Sequence, residues 1–153
     1  MASRKAIAAA LLKQLTGGGQ FVQTGRRDRA PEQAASPGKP GLFLVKPHES
    51  YEYDDHDRGV PPRRDLHFLA VIYTDVGTDA TAVPADLIDD LLDAVDAALA
   101  PSIADQLGNG TRQTLGGLVY DCRVDGDLEL APGDSQGKGQ SVVPIRVILN
   151  SYP

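Results

Sequence analysis

The stretch Pro84-Ala-Asp-Leu-Ile-Asp-Asp-Leu-Leu-Asp-Ala-Val-Asp-Ala-Ala-Leu99 decides how this chain folds. Leu87, Leu91, Val95 and Leu99 recur at every fourth position, and Ile88 and Leu92 widen the same stripe. Asp86, Asp89, Asp90, Asp93 and Asp96 fill the other faces. This is the period of a helix with one face in a core. Pro84 suits the first helical position, where its missing N–H would have no partner anyway. Asp86, Asp89 and Asp90 lie near the positive end of the helix dipole. Each large apolar side chain buried along the stripe stabilises by roughly 1.5–3 kcal/mol as an upper bound. A lone helix of this length is marginal in water, so it needs a surface to lie on.

The flanking segments supply that surface. In Asp65–Thr74, Leu66, Phe68, Ala70 and Ile72 point one way and His67, Leu69, Val71 and Tyr73 the other. Both sets are largely apolar, so this strand is central and covered on both sides. Few helices are on offer, so the second cover is expected from a neighbouring chain. Gly41–Lys46 reads as a short buried strand stopped by Pro47, and Phe21-Val22 begins another. Leu118, Tyr120, Cys122 and Val124 alternate with wetter residues, which predicts a strand. Asp125-Gly126 is a turn or bulge signal, and Leu128–Leu130 continues the sheet or returns from it. Val142–Leu149 is the last strand. Its Pro144 lacks a donor and calls for an edge or a strand start.

At the other end, Ser3 caps a helix over Arg4–Leu15, with Ile7, Leu11, Leu12 and Leu15 as its stripe, and Thr16-Gly17-Gly18-Gly19 ends it. Ser102–Leu107 adds a short helical turn after Pro101. The expected fold is α+β: a mainly antiparallel β-sheet with an N-terminal helix and a central amphipathic helix on one face. A chain of 153 residues makes one domain, with flexible loops expected at about 25–40 and 131–140.

Net charge is −6, which argues against a binder driven by phosphate contacts unless the charge is segregated. It is segregated. Residues 1–40 carry seven Lys or Arg against two Asp or Glu, and residues 49–109 carry three against fourteen. Faces of opposite sign can meet in an assembly, although uneven charge on a solvated surface explains the same numbers. The single Cys122 excludes an intramolecular disulfide framework and suits a reducing compartment. No window of about 18 apolar residues exists, so no membrane contact is expected. Arg4 and Lys5 lead into Ala6–Leu12, but Lys13 and Gln14 interrupt, which is unlike a secretory signal.

Candidate chemistry is sparse. The run His48-Glu49-Ser50-Tyr51-Glu52-Tyr53-Asp54-Asp55-His56-Asp57 is dense in possible metal ligands, and a metal-dependent enzyme built on it is one functional reading. It has neither a helical His-Glu-x-x-His spacing nor a calcium-loop pattern, and a solvated acidic loop explains it as well. His67 suits a core or interface position. Cys122 falls on the apolar side of its strand, where a thiol is inert. Gly17-Gly18-Gly19 follows a helix and lacks the Gly-Lys-Ser/Thr ending of a phosphate loop. The expectation is a protein without catalytic, cofactor or metal residues.

Arg112-Gln113-Thr114-Leu115-Gly116-Gly117-Leu118-Val119, followed by Tyr120-Asp121-Cys122-Arg123-Val124-Asp125-Gly126-Asp127-Leu128, resembles the tail terminator (neck) proteins of long-tailed bacteriophages. Three further stretches agree in order: the N-terminal helix with Ala10-Leu11-Leu12, Lys39–Val45 leading to Glu49, and Leu87–Pro101 with its Ala-Leu-x-Pro ending. The Arg-rich 25–40 loop and the acidic 48–58 segment depart from the family pattern.

The resemblance implies a virion protein at the tail–neck junction, made in the host bacterial cytoplasm. It implies a homo-hexameric ring that caps the tail tube and stops its polymerisation. Its partners would be further copies of itself, the major tail tube protein and the head–tail connector or stopper. DNA would pass through the lumen without sequence-specific binding. The alternative within the class is a connector or stopper protein. The candidate assembly interface is Arg26, Arg27, Arg29, His67, Leu69, Val71, Tyr73, Arg112 and Gln113.

Overall fold

Ser3 accepts the Ala6 N–H through its hydroxyl at 3.1 Å, and helix α1 runs from there over Arg4–Thr16, burying Ile7, Ala8, Leu11 and Leu15. The elements that follow are β1 (Gln23–Gly25), α2 (Pro31–Ala34), β2 (Gly41–Glu52), β3 (Arg63–Asp75), α3 (Pro84–Leu99), α4 (Ile103–Gly108), β4 (Asp121–Val124), β5 (Glu129–Ala131) and β6 (Lys138–Leu149). The computed structural model describes residues 2–53, 63–108, 110–131 and 136–149.

The strands form one sheet in the order β1-β2-β3-β6-β4, with β5 on the same edge of β6 as β4. Among the described residues, the β1–β2 pair is parallel and the other pairings are antiparallel. This is the α+β class that the pattern of elements calls for. Leu66, Phe68, Ala70 and Ile72 of β3, Leu42 and Leu44 of β2, and Val143, Ile145 and Val147 of β6 share the first face of the sheet. Helices α1 and α3 cover it. Ile88, Leu91 and Val95 are buried along α3, and Leu87, Leu92 and Leu99 pack at the margins. The two helices touch each other, and Gln14 Nε2 donates to the Ala98 carbonyl at 2.7 Å.

Several elements differ from the sequence expectation, each for a local reason. The β2 strand does not stop at Pro47 but continues to Glu52. Its register slips between Val45 and His48, leaving an extra residue on β2, and Pro47 falls within that slip, where an absent N–H disturbs the ladder least. The strand expected from Leu118 begins only at Asp121, and Val119 is buried while Leu118 and Tyr120 are exposed. Residues 114–117 form a turn, with Leu115, Gly116 and Gly117 at positive φ, and this breaks the alternation.

Pro144 is neither at an edge nor at a strand start. Its carbonyl accepts from the Asp125 N–H at 3.0 Å, so its nitrogen points to the same side. There β4 pairs with 145–148 and β5 with 140–142, leaving a gap opposite Pro144. Within 131–140, Ala131 belongs to β5 and 138–140 to β6.

Candidate assembly surface

The second face of the sheet carries the residues on which the interface expectation rests. It divides into two ends. At one end Phe43, Val71 and Tyr73 pack with Ala34 and Ala35 of the 25–40 segment. Val71 is 5% and Tyr73 4% exposed. The expectation that these two side chains await a neighbouring chain is therefore corrected: the chain covers them itself. The 25–40 segment is built for this contact. Pro31 starts α2, and Ser36 and Lys39 close a small bridge. The Tyr73 hydroxyl donates to Asp28 at 2.8 Å. Arg29 lies over the Phe43 ring at 5.4 Å. Gly41 lets the backbone come this close, since a Cβ there would collide with the Ala34 carbonyl and come within 2.9 Å of Phe43. Burial first, and then Asp28, push the Tyr73 phenol up to about 12.

Beyond that cover the second face opens. Val45, Leu69, Val142 and Pro144 form a partly exposed apolar strip across β2, β3 and β6. Past the strip the surface turns polar. His48 and His67 are cross-strand partners, and Arg146 is the β6 partner of His67. Asp65 is buried and binds Arg146 through a short contact, with Arg63 at 3.4 Å. The sequence places His67 on this face but assigns His48 to a loop, because the slip at Pro47 that brings it back into register leaves no compositional trace.

The expected interface residues thus fall in different places. Arg26, Arg27 and Arg29 are exposed on the segment covering the second face. His67 and Leu69 are partly exposed on that face. Arg112 and Gln113 lie elsewhere, and Gln113 is 3% exposed and committed to the fold. Its Nε2 donates to the Ala100 carbonyl at 2.6 Å, its Oε1 accepts from the Leu115 N–H at 3.0 Å, and its own N–H reaches Asp121 at 3.2 Å. Arg112 stacks over Tyr120 at 4.0 Å.

Next to Gln113, Thr114 donates its hydroxyl to the buried Asp105 at 2.5 Å. Ser102 reaches the other carboxylate oxygen at 2.9 Å, and Asp105 N–H returns to the Ser102 hydroxyl at 3.1 Å. The Thr114 hydrogen bond first, then Ser102, hold the Asp105 carboxyl below its ordinary value against the effect of burial. The 112–119 octapeptide is thereby a knot tying α4 and the end of α3 to β4. These polar anchors carry no period, and the sequence reading missed Asp105 altogether.

Helix α3, with its exposed aspartates Asp86, Asp89, Asp90, Asp93 and Asp96, lies on the opposite side of the sheet from Arg29, which sits over Phe43. Among the described residues, no three His, Cys, Asp or Glu side chains converge as a metal site; His56, with Asp54, Asp55 and Asp57, lies outside the described residues. The Cys122 thiol is buried, and burial pushes it up to about 12. No helix among the described residues is long and apolar enough to cross a membrane. Set against protein-family models and against curated proteins, the chain matches none.

Proposed function

We propose that this chain is a ring-forming structural subunit of the tail terminator kind, which caps a phage tail tube and offers its other side to the head connector. The observation that carries the reading is the half-covered second face of the sheet. The 25–40 segment seals Phe43, Val71 and Tyr73, with Val45 and Val142 packed at the margin of that cluster, and Val45, Leu69, Val142 and Pro144 remain partly exposed. A partly exposed apolar strip bordered by charge suits a contact that forms between subunits. The polarity of the molecule supports the same reading. The acidic helix α3 lies on one side of the sheet and Arg29, in the Arg-rich 25–40 segment, on the other, so one copy can meet the next head to tail. Such a contact closes into a ring when the rotation permits, and leaves two distinct end surfaces for two different partners. The order of the resembling stretches, from Ala10-Leu11-Leu12 through the 112–119 octapeptide, supplies the family.

The test is made on the particle. Imaging of the tail–neck junction is expected to find one ring of this chain between tube and connector. The variant Leu69→Asp is expected to fold and to leave tails unjoined to heads. A ring seated against the portal instead would make the chain a connector. Normal joining by the variant, or the chain located elsewhere in the particle, would overturn the reading.

A further inference from the structure

Beyond the Pro47 slip, β2 continues as an arm in which residues 48–52 pair with 63–67 of β3, and 64–67 are held on their other side by 146–149 of β6. On the first face this arm is tied down by ions. Arg4 of α1 donates to Glu49 at 2.7 Å and to the Tyr51 hydroxyl at 2.6 Å, and Lys46 also pairs with Glu49. On the second face the contact is of another kind. The extra residue at the slip turns His48 onto His67, and the two rings stack with centroids 4.2 Å apart and planes 17° from parallel. Ser50 Oγ lies 3.1 Å from His67 Nε2.

Among the described residues, the charged groups on this side are Glu52 of β2, Arg63 and Asp65 of β3, Arg146 of β6, Arg123 of β4 and, just after β4, Asp125. Glu52 pairs with Arg63 at 3.9 Å, and Asp65 and Asp125 are already engaged with Arg146, at 3.5 Å in the case of Asp125. Two neutral imidazoles stack well here. Two imidazolium rings at this spacing repel each other, with Arg146 as a third positive charge alongside.

We propose that the His48–His67 stack is a proton-operated latch: neutral, it holds the 48–52 and 63–67 strands together, and when both rings are charged it lets them part about the Pro47 slip. His67 is tuned for the role. Burial first, then His48, then Arg146 lower its pKa against the pull of Asp65 and Asp125. The proton on His67 therefore arrives below the ordinary histidine value of about 6.5. The latch is a property of the single chain and stands independently of the ring.

Backbone hydrogen exchange on the full chain tests it, at about pH 8 and about pH 5 to bracket histidine titration, with intrinsic rates corrected. In the wild type, protection of the 48–52 amides, and of those amides in 63–67 that bond to β2, is expected to fall by at least about fivefold on acidification, the floor set by two like charges about 4 Å apart even in water. Protection of 68–72 and 142–147 is expected to hold. His67→Gln is expected to keep the arm protected at both values. In His48→Gln, a change at an exposed position, NMR is expected to show His67 titrating closer to its ordinary range. Equal protection of the wild-type arm at both values would overturn the latch, as would an equal loss in His67→Gln. So would a His67 titration unmoved by His48→Gln.

Discussion

The hydroxyl of Thr114 donates to the carboxylate of Asp105 at 2.5 Å across nine residues of chain, joining the turn that ends the octapeptide's first half to helix α4. The pair is buried at both ends, and it holds the Asp105 carboxyl below its ordinary value, through Thr114 first and Ser102 next. The unfolded chain therefore binds this proton more readily than the folded one. The stabilisation is full above the ordinary carboxylate value of about 3.9, and is lost as pH falls through the lower folded value. Asp105→Asn is expected to melt at a lower temperature at neutral pH and to show a flatter acid limb. Thermal melts followed by circular dichroism across the acid range check this; parallel curves for the two proteins would count against it.

Val71 and Leu69 lie on the same face of β3, two residues apart, yet the cover over them differs. Val71 sits under Ala34 and Ala35, so Val71→Asp buries an unpaired charge and is expected to cost the isolated chain about 3–5 kcal/mol. Leu69 is partly exposed, and Leu69→Asp is expected to cost only roughly 1 kcal/mol. Denaturant unfolding of the two variants gives the comparison. Similar losses would mean that the cover extends further than described.

Gly41 starts β2 against the Ala34 carbonyl. A Cβ has no room there, so Gly41→Ala is expected to destabilise by about 1–3 kcal/mol, the usual cost of overpacking. The strain falls on the contact between the 25–40 segment and the sheet. Limited proteolysis is therefore expected to cut that segment faster in the variant, while α3 remains resistant.

Tyr73 provides a direct reading of the same cover from the alkaline side. Its phenol titrates at about 12 because burial, and then Asp28, oppose its ionisation. Ultraviolet titration of the five tyrosines is expected to show a late component, absent in Tyr73→Phe and shifted earlier in Asp28→Asn. The unfolded chain gives up this proton first, so stability falls as pH rises past about 10. Tyr73→Phe is expected to lose that part of the alkaline decline.

What was legible in the sequence was whatever had a period. The α3 stripe, the α1 stripe through Ile7, Leu11 and Leu15, and the two-sided apolar pattern of β3 all follow from side chains that bury themselves at regular intervals. The cover over Val71 had no such signature. It consists of two alanines, a glycine that permits approach and an exposed arginine over a ring, within a stretch whose Pro, Gly and Arg content resembles an unstructured loop. Asp105, Gln113 and Thr114 were illegible for a related reason: polar residues of a six-residue helix and of a loop pair only once the rest of the fold has placed them. His48 went unplaced because one extra residue at Pro47 moves every later side chain of β2 to the opposite face.

The gap opposite Pro144 has a consequence for how copies of this chain can meet. Of the three long strands, β3 is flanked on both sides, β6 is flanked on its outer side by the four-residue β4 and the three-residue β5, and β2 is flanked on its outer side by β1 at 41–43. On the β6 side the rim is interrupted at a residue with no N–H to donate. Along β6 a foreign strand therefore finds no uninterrupted row of amides to zip onto, and on the β2 side the slip at Pro47 breaks the row beyond β1. Molecules of this shape are driven to recognise one another through side chains on their broad faces, where register and partner can be specified, instead of through backbone at their borders.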